Sequence, residues 1–219
     1  MTDTISPYAI YTISDENIGS NTGPKNSYID LQTQLKGAFD VILIDIFPKS
    51  ISLNVMNMVH HIQNDMYKNY KGIYLIGWGV GGSICTEVAY FINNFIKPSY
   101  VLGIIYLATQ QAETELIQYL DIKCIFVHGK ADNVHKYTIS ENLYKNYNHT
   151  NKELILLDYQ DHQFTLYSSN ITEIIYNIFN KIYSELNNPQ NLTQNLTQNN
   201  ITWTTPIDGF NNGYMDCTK

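Results

Sequence analysis

Residues 74–85 read YLIGWGVGGSIC, an apolar run that ends in a knot of glycines and passes into a second apolar segment. The run from Gly72 to Gly77 (GIYLIG) does not alternate with polar residues. Beyond the knot, Ile84, Val88, Phe91, Ile92 and Phe95 recur at helical spacing. The stretch therefore reads as a buried strand, a sharp turn and a helix. Gly79 sits at the tip of the turn, where a glycine takes up a positive φ cheaply. Whether it serves chemistry, a ligand or only the turn depends on the rest of the chain.

The same pattern repeats on both sides. Residues 8–13 (YAIYTI), 39–46 (FDVILIDI), 100–108 (YVLGIIYLA), 122–129 (IKCIFVHG) and 153–159 (ELILLDY) are further strand candidates, rich in Ile, Val, Leu and Tyr. Unalternating runs are what strands buried on both faces require. Between them, Ile51, Val55, Met58, Val59, Ile62 and Met66 form one helical stripe, with Ser50 placed to cap it. Ile171, Ile174, Ile175, Ile178 and Ile182 form the last stripe. Weaker helices are predicted over 27–36 and 138–147, and a short turn over 112–119. Strands alternating with helices predict a three-layer αβα sandwich on a sheet of about six mostly parallel strands.

Composition narrows the function. The chain has 219 residues, enough for one sizeable core, and a net charge of -7. Its 13 basic residues are all lysine, so it lacks the side chain best suited to bidentate phosphate clamps and guanine readout. Nucleic acid is excluded as an expected partner. No run reaches membrane-spanning length and the first residues lack the pattern of a signal peptide, so the expected location is cytoplasmic. Cys85, Cys124 and Cys217 show no metal-like spacing, and the first two lie in apolar segments as buried thiols. No metal or cofactor is predicted. After residue 186 the periodicity is lost and a short Asn-Leu-Thr-Gln unit recurs. The expected division is a domain over 1–186 and an Asn/Thr/Gln-rich tail over 187–219, disordered or loosely docked.

Three features fall at the C-terminal ends of predicted strands, the edge where open α/β sheets bind ligands. They are GWGVGG (77–82), HGKAD (128–132) and DHQF (161–164). An elbow, then an acid, then a histidine is the order of the α/β-hydrolase triad. Over roughly residues 8–184 the chain resembles that superfamily, and around the elbow it is most similar to thioesterases and small carboxylester hydrolases. Gly77, Trp78, Gly81 and Gly82 match an elbow ending G-W-S-x-G-G, followed by Glu87 and Ala89, and the helix SISLNVMNMVHHI (50–62) resembles the one that leads into it. The resemblance implies the sheet order 2-1-3-4-5-6, His162 as general base, Asp132 as its orienting acid, and half an oxyanion hole from the Val80 N–H. Gly77, Trp78, Gly81 and Gly82 would border the pocket.

The nucleophile position is Gly79, which has no side chain to acylate. The loop after the first strand, SDENIGSNTG, brings Ser14, Asp15 and Glu16 where the family has oxyanion donors, and two of these are negative. Ala108 and Thr109 stand where typical thioesterases carry their acid. The chain is thus expected to be an inactive or impaired hydrolase relative, kept to bind an acyl-like small molecule or a protein partner.

Two alternatives stay open. One is an active ester or thioester hydrolase using another nucleophile or a water activated by His162; Ser14, Ser20, Ser83 and Cys85 are the substitutes to consider. The other is nucleotide binding, because Gly77, Gly79 and Gly82 also satisfy G-x-G-x-x-G. That fingerprint normally follows a fold's first strand and has an acid ending the next one, whereas here the next strand ends in YLATQQ. The bland readings are a tight turn for Gly79, a helix cap for Asp132 and a surface imidazole for His162.

Overall fold

The computed structural model describes residues 6–13, 24–47, 50–110, 114–165 and 171–188. Six parallel strands form one sheet: β1 (Tyr8–Ile13), β2 (Phe39–Leu43), β3 (Gly72–Trp78), β4 (Val101–Leu107), β5 (Lys123–Gly129) and β6 (Lys152–Leu157). Their order is β2-β1-β3-β4-β5-β6, the arrangement the resemblance implied. Pairing runs in register along the edge that carries the site, with Ile13 opposite Gly77, Trp78 opposite Leu107, Leu107 opposite Val127 and Gly129 opposite Leu157. The ends of β1, β3 and β4 therefore fall within one residue of each other, while β5 and β6 run together two residues further.

The helices are α1 (Pro24–Gln34), α2 (Ile51–Asn64), α3 (Gly81–Phe91), the four-residue α4 (Thr114–Ile117), α5 (Thr138–Asn146) and α6 (Ile171–Leu186). On one face of the sheet, Tyr11, Ile13, Ile104, Tyr106 and Phe126 pack with Met58 and Ile62 of α2, Ile84 and Val88 of α3, and Leu143 of α5. On the other face, Phe39 and Tyr74 meet Phe179 of α6 with ring centroids 5.1 and 5.6 Å apart, while Tyr28 of α1 stands edge-on to Trp78. Helices on both faces complete the three layers. The sheet and the site below belong to one compact unit, Met1–Asn180; a second comprises Lys181–Lys219. Residues 189–219, nearly all of the expected tail, and Cys217 with them, lie outside the described residues. Among the described residues no helix is long and apolar enough to cross a membrane.

Two stripes differ from expectation. Phe91 and Phe95 are 44% and 67% exposed: the buried face of α3 centres on Cys85, Val88, Ala89 and Ile92, which leaves Phe91 at its edge, and a π-helical turn over Ile92–Ile96 then breaks the helical spacing before Phe95. Ile51 is also exposed, since it opens α2 ahead of the first buried turn. Ser50 caps α2, its Oγ accepting the Leu53 N–H at 3.2 Å.

The buried polar residue of α2 is Asn54, which periodicity did not single out. Its Nδ2 donates to the carbonyls of Phe47 and Ser50 at 3.0 and 2.8 Å, and its Oδ1 accepts the Phe47 N–H at 2.6 Å. It closes the connection between β2 and α2. Asn54→Leu keeps the bulk and removes three hydrogen bonds, so urea denaturation should show a loss of about 2 kcal/mol. An unchanged midpoint would mean the connection holds without it.

Candidate functional site

The elbow is built by close approach. A Cβ on Gly77 would lie 2.4 Å from the carbonyl carbon of Gly81, and one on Gly81 would lie 2.5 Å from the carbonyl oxygen of Ile13. One on Gly82 would lie 2.0 Å from Oγ1 of Thr109. These three glycines let α3 start directly against the ends of β1, β3 and β4. Gly79 has a different reason: its φ is +58°, the left-handed region, at the tip of the turn. Its N–H extends the ladder to the Leu107 carbonyl at 3.0 Å. Its own carbonyl accepts from the Gln110 N–H and from Thr109 Oγ1, both at 3.2 Å, and from the Gly82 N–H, also at 3.2 Å. Thr109, where typical thioesterases would carry an acid, braces the elbow.

Trp78, just before the tip, is buried and donates its indole N–H to the carbonyl oxygen of His162 at 3.1 Å. Its ring stands edge-on to Phe164 at 5.1 Å. The histidine loop after β6 is thereby tied to the elbow after β3. It is tied to the acid loop as well. The Lys130 and Ala131 N–H groups donate to the Leu157 and Gln160 carbonyls at 2.9 and 3.0 Å, and a Cβ on Gly129 would lie 2.2 Å from the Gln160 oxygen. Strain gathers at the same edge: Ala108, Tyr159 and Phe164 all hold positive φ.

Within this frame His162 Nδ1 donates to Asp132 Oδ2 at 2.8 Å, with both residues buried. A carboxylate at that nitrogen selects the Nδ1–H tautomer and leaves Nε2 as the acceptor nitrogen of the neutral ring. The other carboxylate oxygen, Oδ1, accepts the backbone N–H groups of Val134 and His135, each at 2.8 Å. Asp132 does not cap α5, whose N-cap residue is Tyr137. Nor is His162 a surface imidazole; it is 4% exposed.

A third partner was not anticipated. His128, inside β5, points Nε2 at Asp132 Oδ2 at 3.0 Å and at the His135 carbonyl at 2.9 Å, and its Nδ1 lies 2.8 Å from Ser140 Oγ of α5. The signal was present, because a histidine in an otherwise apolar buried strand must find polar partners. Burial alone would raise the Asp132 carboxyl; the donors from His128, His162 and the His135 N–H outweigh it and hold the group well below the usual carboxylate range. A lowered folded value means stability that is complete above an unfolded pKa of about 4 and lost as pH falls below it towards the folded value. Asp132→Asn should therefore flatten the fall in stability between neutral and acid pH, read by urea denaturation along a pH series. Parallel curves for the two proteins would refute it.

The remaining candidates separate cleanly. Ser83 is buried, with its N–H on the Val80 carbonyl at 3.1 Å, as a packing residue of α3. Cys85 is fully buried and burial pushes its thiol far up, away from the reactive thiolate; burial likewise raises Cys124 to about 12. Val80 opens α3 at its N-cap position. Ser14, Asp15, Glu16 and Ser20 lie outside the described residues. Among the described residues no group of His, Cys, Asp and Glu is arranged to hold a metal ion.

No protein-family model matches the sequence, and no curated protein matches it significantly. Solved structures do share its architecture. Est1E from Butyrivibrio proteoclasticus superimposes with a TM-score of 0.65 at 13% identity, over 82% of this chain and 88% of that one. Dienelactone hydrolase from Anabaena variabilis gives 0.65 at 11% identity, over 80% and 85%. Monoacylglycerol lipase from Paleococcus ferrophilus gives 0.61 at 11%, over 80% and 93%. An open six-stranded parallel sheet in the order 2-1-3-4-5-6, with helices on both faces, gives this chain the α/β-hydrolase fold.

Proposed function

We propose that this chain is a non-catalytic or strongly impaired relative of the serine ester and thioester hydrolases, retained to bind an acyl-like small molecule or a protein partner. One observation carries the reading. Asp132 and His162 are hydrogen-bonded at 2.8 Å at the ends of β5 and β6, while the elbow between β3 and α3 bears Gly79 at φ +58°. The acid–histidine pair remains; the side chain it would activate does not. Esterases and lipases among the proteins of the same fold favour an ester-like ligand.

The intact pair also motivates a second reading, hydrolysis by a water that His162 activates. The glycine-loop reading has less support, since the Gly82 and Ser83 N–H groups are engaged by the Gly79 and Val80 carbonyls rather than turned to a phosphate. Incubation of the native chain with p-nitrophenyl acetate and with a fluorophosphonate separates the first two. The proposal expects hydrolysis at the buffer rate and no phosphonylated residue. Saturable hydrolysis abolished by His162→Ala, without labelling, would replace it with the water route. Labelling of a serine would mean that another nucleophile has taken over.

A further inference from the structure

We infer that His128 is a positioning residue that holds Asp132, and through it His162, in the orientation proton transfer needs. The inference rests on the reading of Asp132 and His162 as the retained pair.

Nε2 of His128 lies between two groups that only accept, Asp132 Oδ2 at 3.0 Å and the His135 carbonyl at 2.9 Å. It therefore carries a hydrogen whatever the charge of the ring. In the neutral ring Nδ1 accepts, and the Ser140 hydroxyl donates to it across 2.8 Å. A ring flip would break all three contacts in a site where both His128 and Ser140 are fully buried. The imidazole is thus pinned from α5.

Its N–H donates to the same carboxylate oxygen that accepts the His162 Nδ1–H. The backbone N–H groups of Val134 and His135 hold Oδ1, and His128 fixes Oδ2 on the line to His162. The grip is double, because His128 also holds the backbone of His135, whose ring stands edge-on to that of His162 with centroids 4.9 Å apart. The carboxylate and the neighbouring ring that flank His162 are both referenced to one buried imidazole. Outer-shell partners that orient metal-ligating histidines are worth about ten- to a hundredfold in function, and the lower end of that order is the effect expected of an orienting bond here. A merely structural core histidine would affect stability and leave the His162 proton undisturbed.

Two readouts test this. The first is the Nδ1 proton of His162, followed by NMR on histidine-labelled native chain and on His128→Leu, His128→Gln and Ser140→Ala. The second is the fluorophosphonate labelling rate of the same variants carrying Gly79→Ser. Gln places an N–H donor at about the reach of Nε2, whereas Leu supplies none. His128→Leu should broaden or lose the resonance and slow labelling about tenfold, His128→Gln should recover both, and Ser140→Ala should fall between. A Leu variant with the native resonance and rate overturns the inference, as does a Gln variant no better than Leu. If the Leu variant does not fold, a native resonance and rate in Ser140→Ala overturns it. If Gly79→Ser is never labelled, the functional reading fails, and the resonance in the native background still decides the role of His128.

Discussion

Gly79→Ser is expected to introduce fluorophosphonate labelling, on the new serine, that the native chain is expected to lack. The reaction requires an Oγ at the tip of the elbow, and the elbow backbone is already in place. Gly79 holds φ +58°, its N–H is on the Leu107 carbonyl, and its carbonyl is braced by Thr109 and Gln110. The serine Oγ attacks phosphorus, the P–F bond breaks, fluoride leaves, and the Oγ proton passes to His162, whose Nδ1–H stays on Asp132. A positioned base contributes about a hundred- to ten-thousandfold, so adding His162→Ala should slow labelling by that order. The new residue must hold a left-handed backbone, which should cost about 1–3 kcal/mol of stability in urea. Ester turnover should remain slow, since Asp15 and Glu16 follow β1 in the sequence, where the resemblance expects oxyanion donors, and one lost donor is worth about a hundred- to a thousandfold. Mass spectrometry should find acetyl from p-nitrophenyl acetate held on the serine. A folded variant without adduct would show that more than the nucleophile is missing.

Gly77→Ala should be among the most damaging single methyl additions at the described residues. Its Cβ would lie 2.4 Å from both the carbonyl carbon and oxygen of Gly81 and 2.5 Å from the Gly82 nitrogen. All three are backbone atoms of the first turn of α3, so no side chain can swing aside and the helix must be driven off β3. Overpacking a core costs about 1–3 kcal/mol when side chains can yield. Here they cannot, and about 3 kcal/mol or more is expected, a large share of a typical domain stability of about 5–15 kcal/mol. Gly37→Ala is the matched control. Its φ is +91°, but a Cβ there meets nothing within 4 Å, so strain alone applies, about 1–3 kcal/mol. Urea denaturation of both variants gives the comparison. A Gly77→Ala midpoint equal to that of Gly37→Ala would refute the account of the elbow as a close helix–strand contact.

The sequence by itself determined the order of the elements and which strand ends carry the candidate site. Those properties are local: apolar runs buried on both faces mark strands, 3.6-residue periodicity marks helices, and parallel strands bring their C-terminal ends to one edge. Asp132 and His162 were legible as candidates because each lies just past an apolar run that reads as a strand, although β6 proves only half-buried. Tertiary structure decided which polar groups meet across elements. His128 and Ser140 are twelve residues apart, on a strand and a helix, and only the packing of α5 against β5 makes Ser140 the partner of His128, which in turn holds Asp132. Thr109 gained its place beneath Gly79 from the pairing of β3 with β4, and Phe95 lost its place in the core beyond a π turn that side-chain periodicity does not encode. The knot of glycines shows both levels in one stretch. A positive φ at Gly79 follows from the demands of the turn, whereas Gly77, Gly81 and Gly82 are glycine because other backbone and side-chain atoms occupy the space of a Cβ, and those atoms arrive only when the chain has folded.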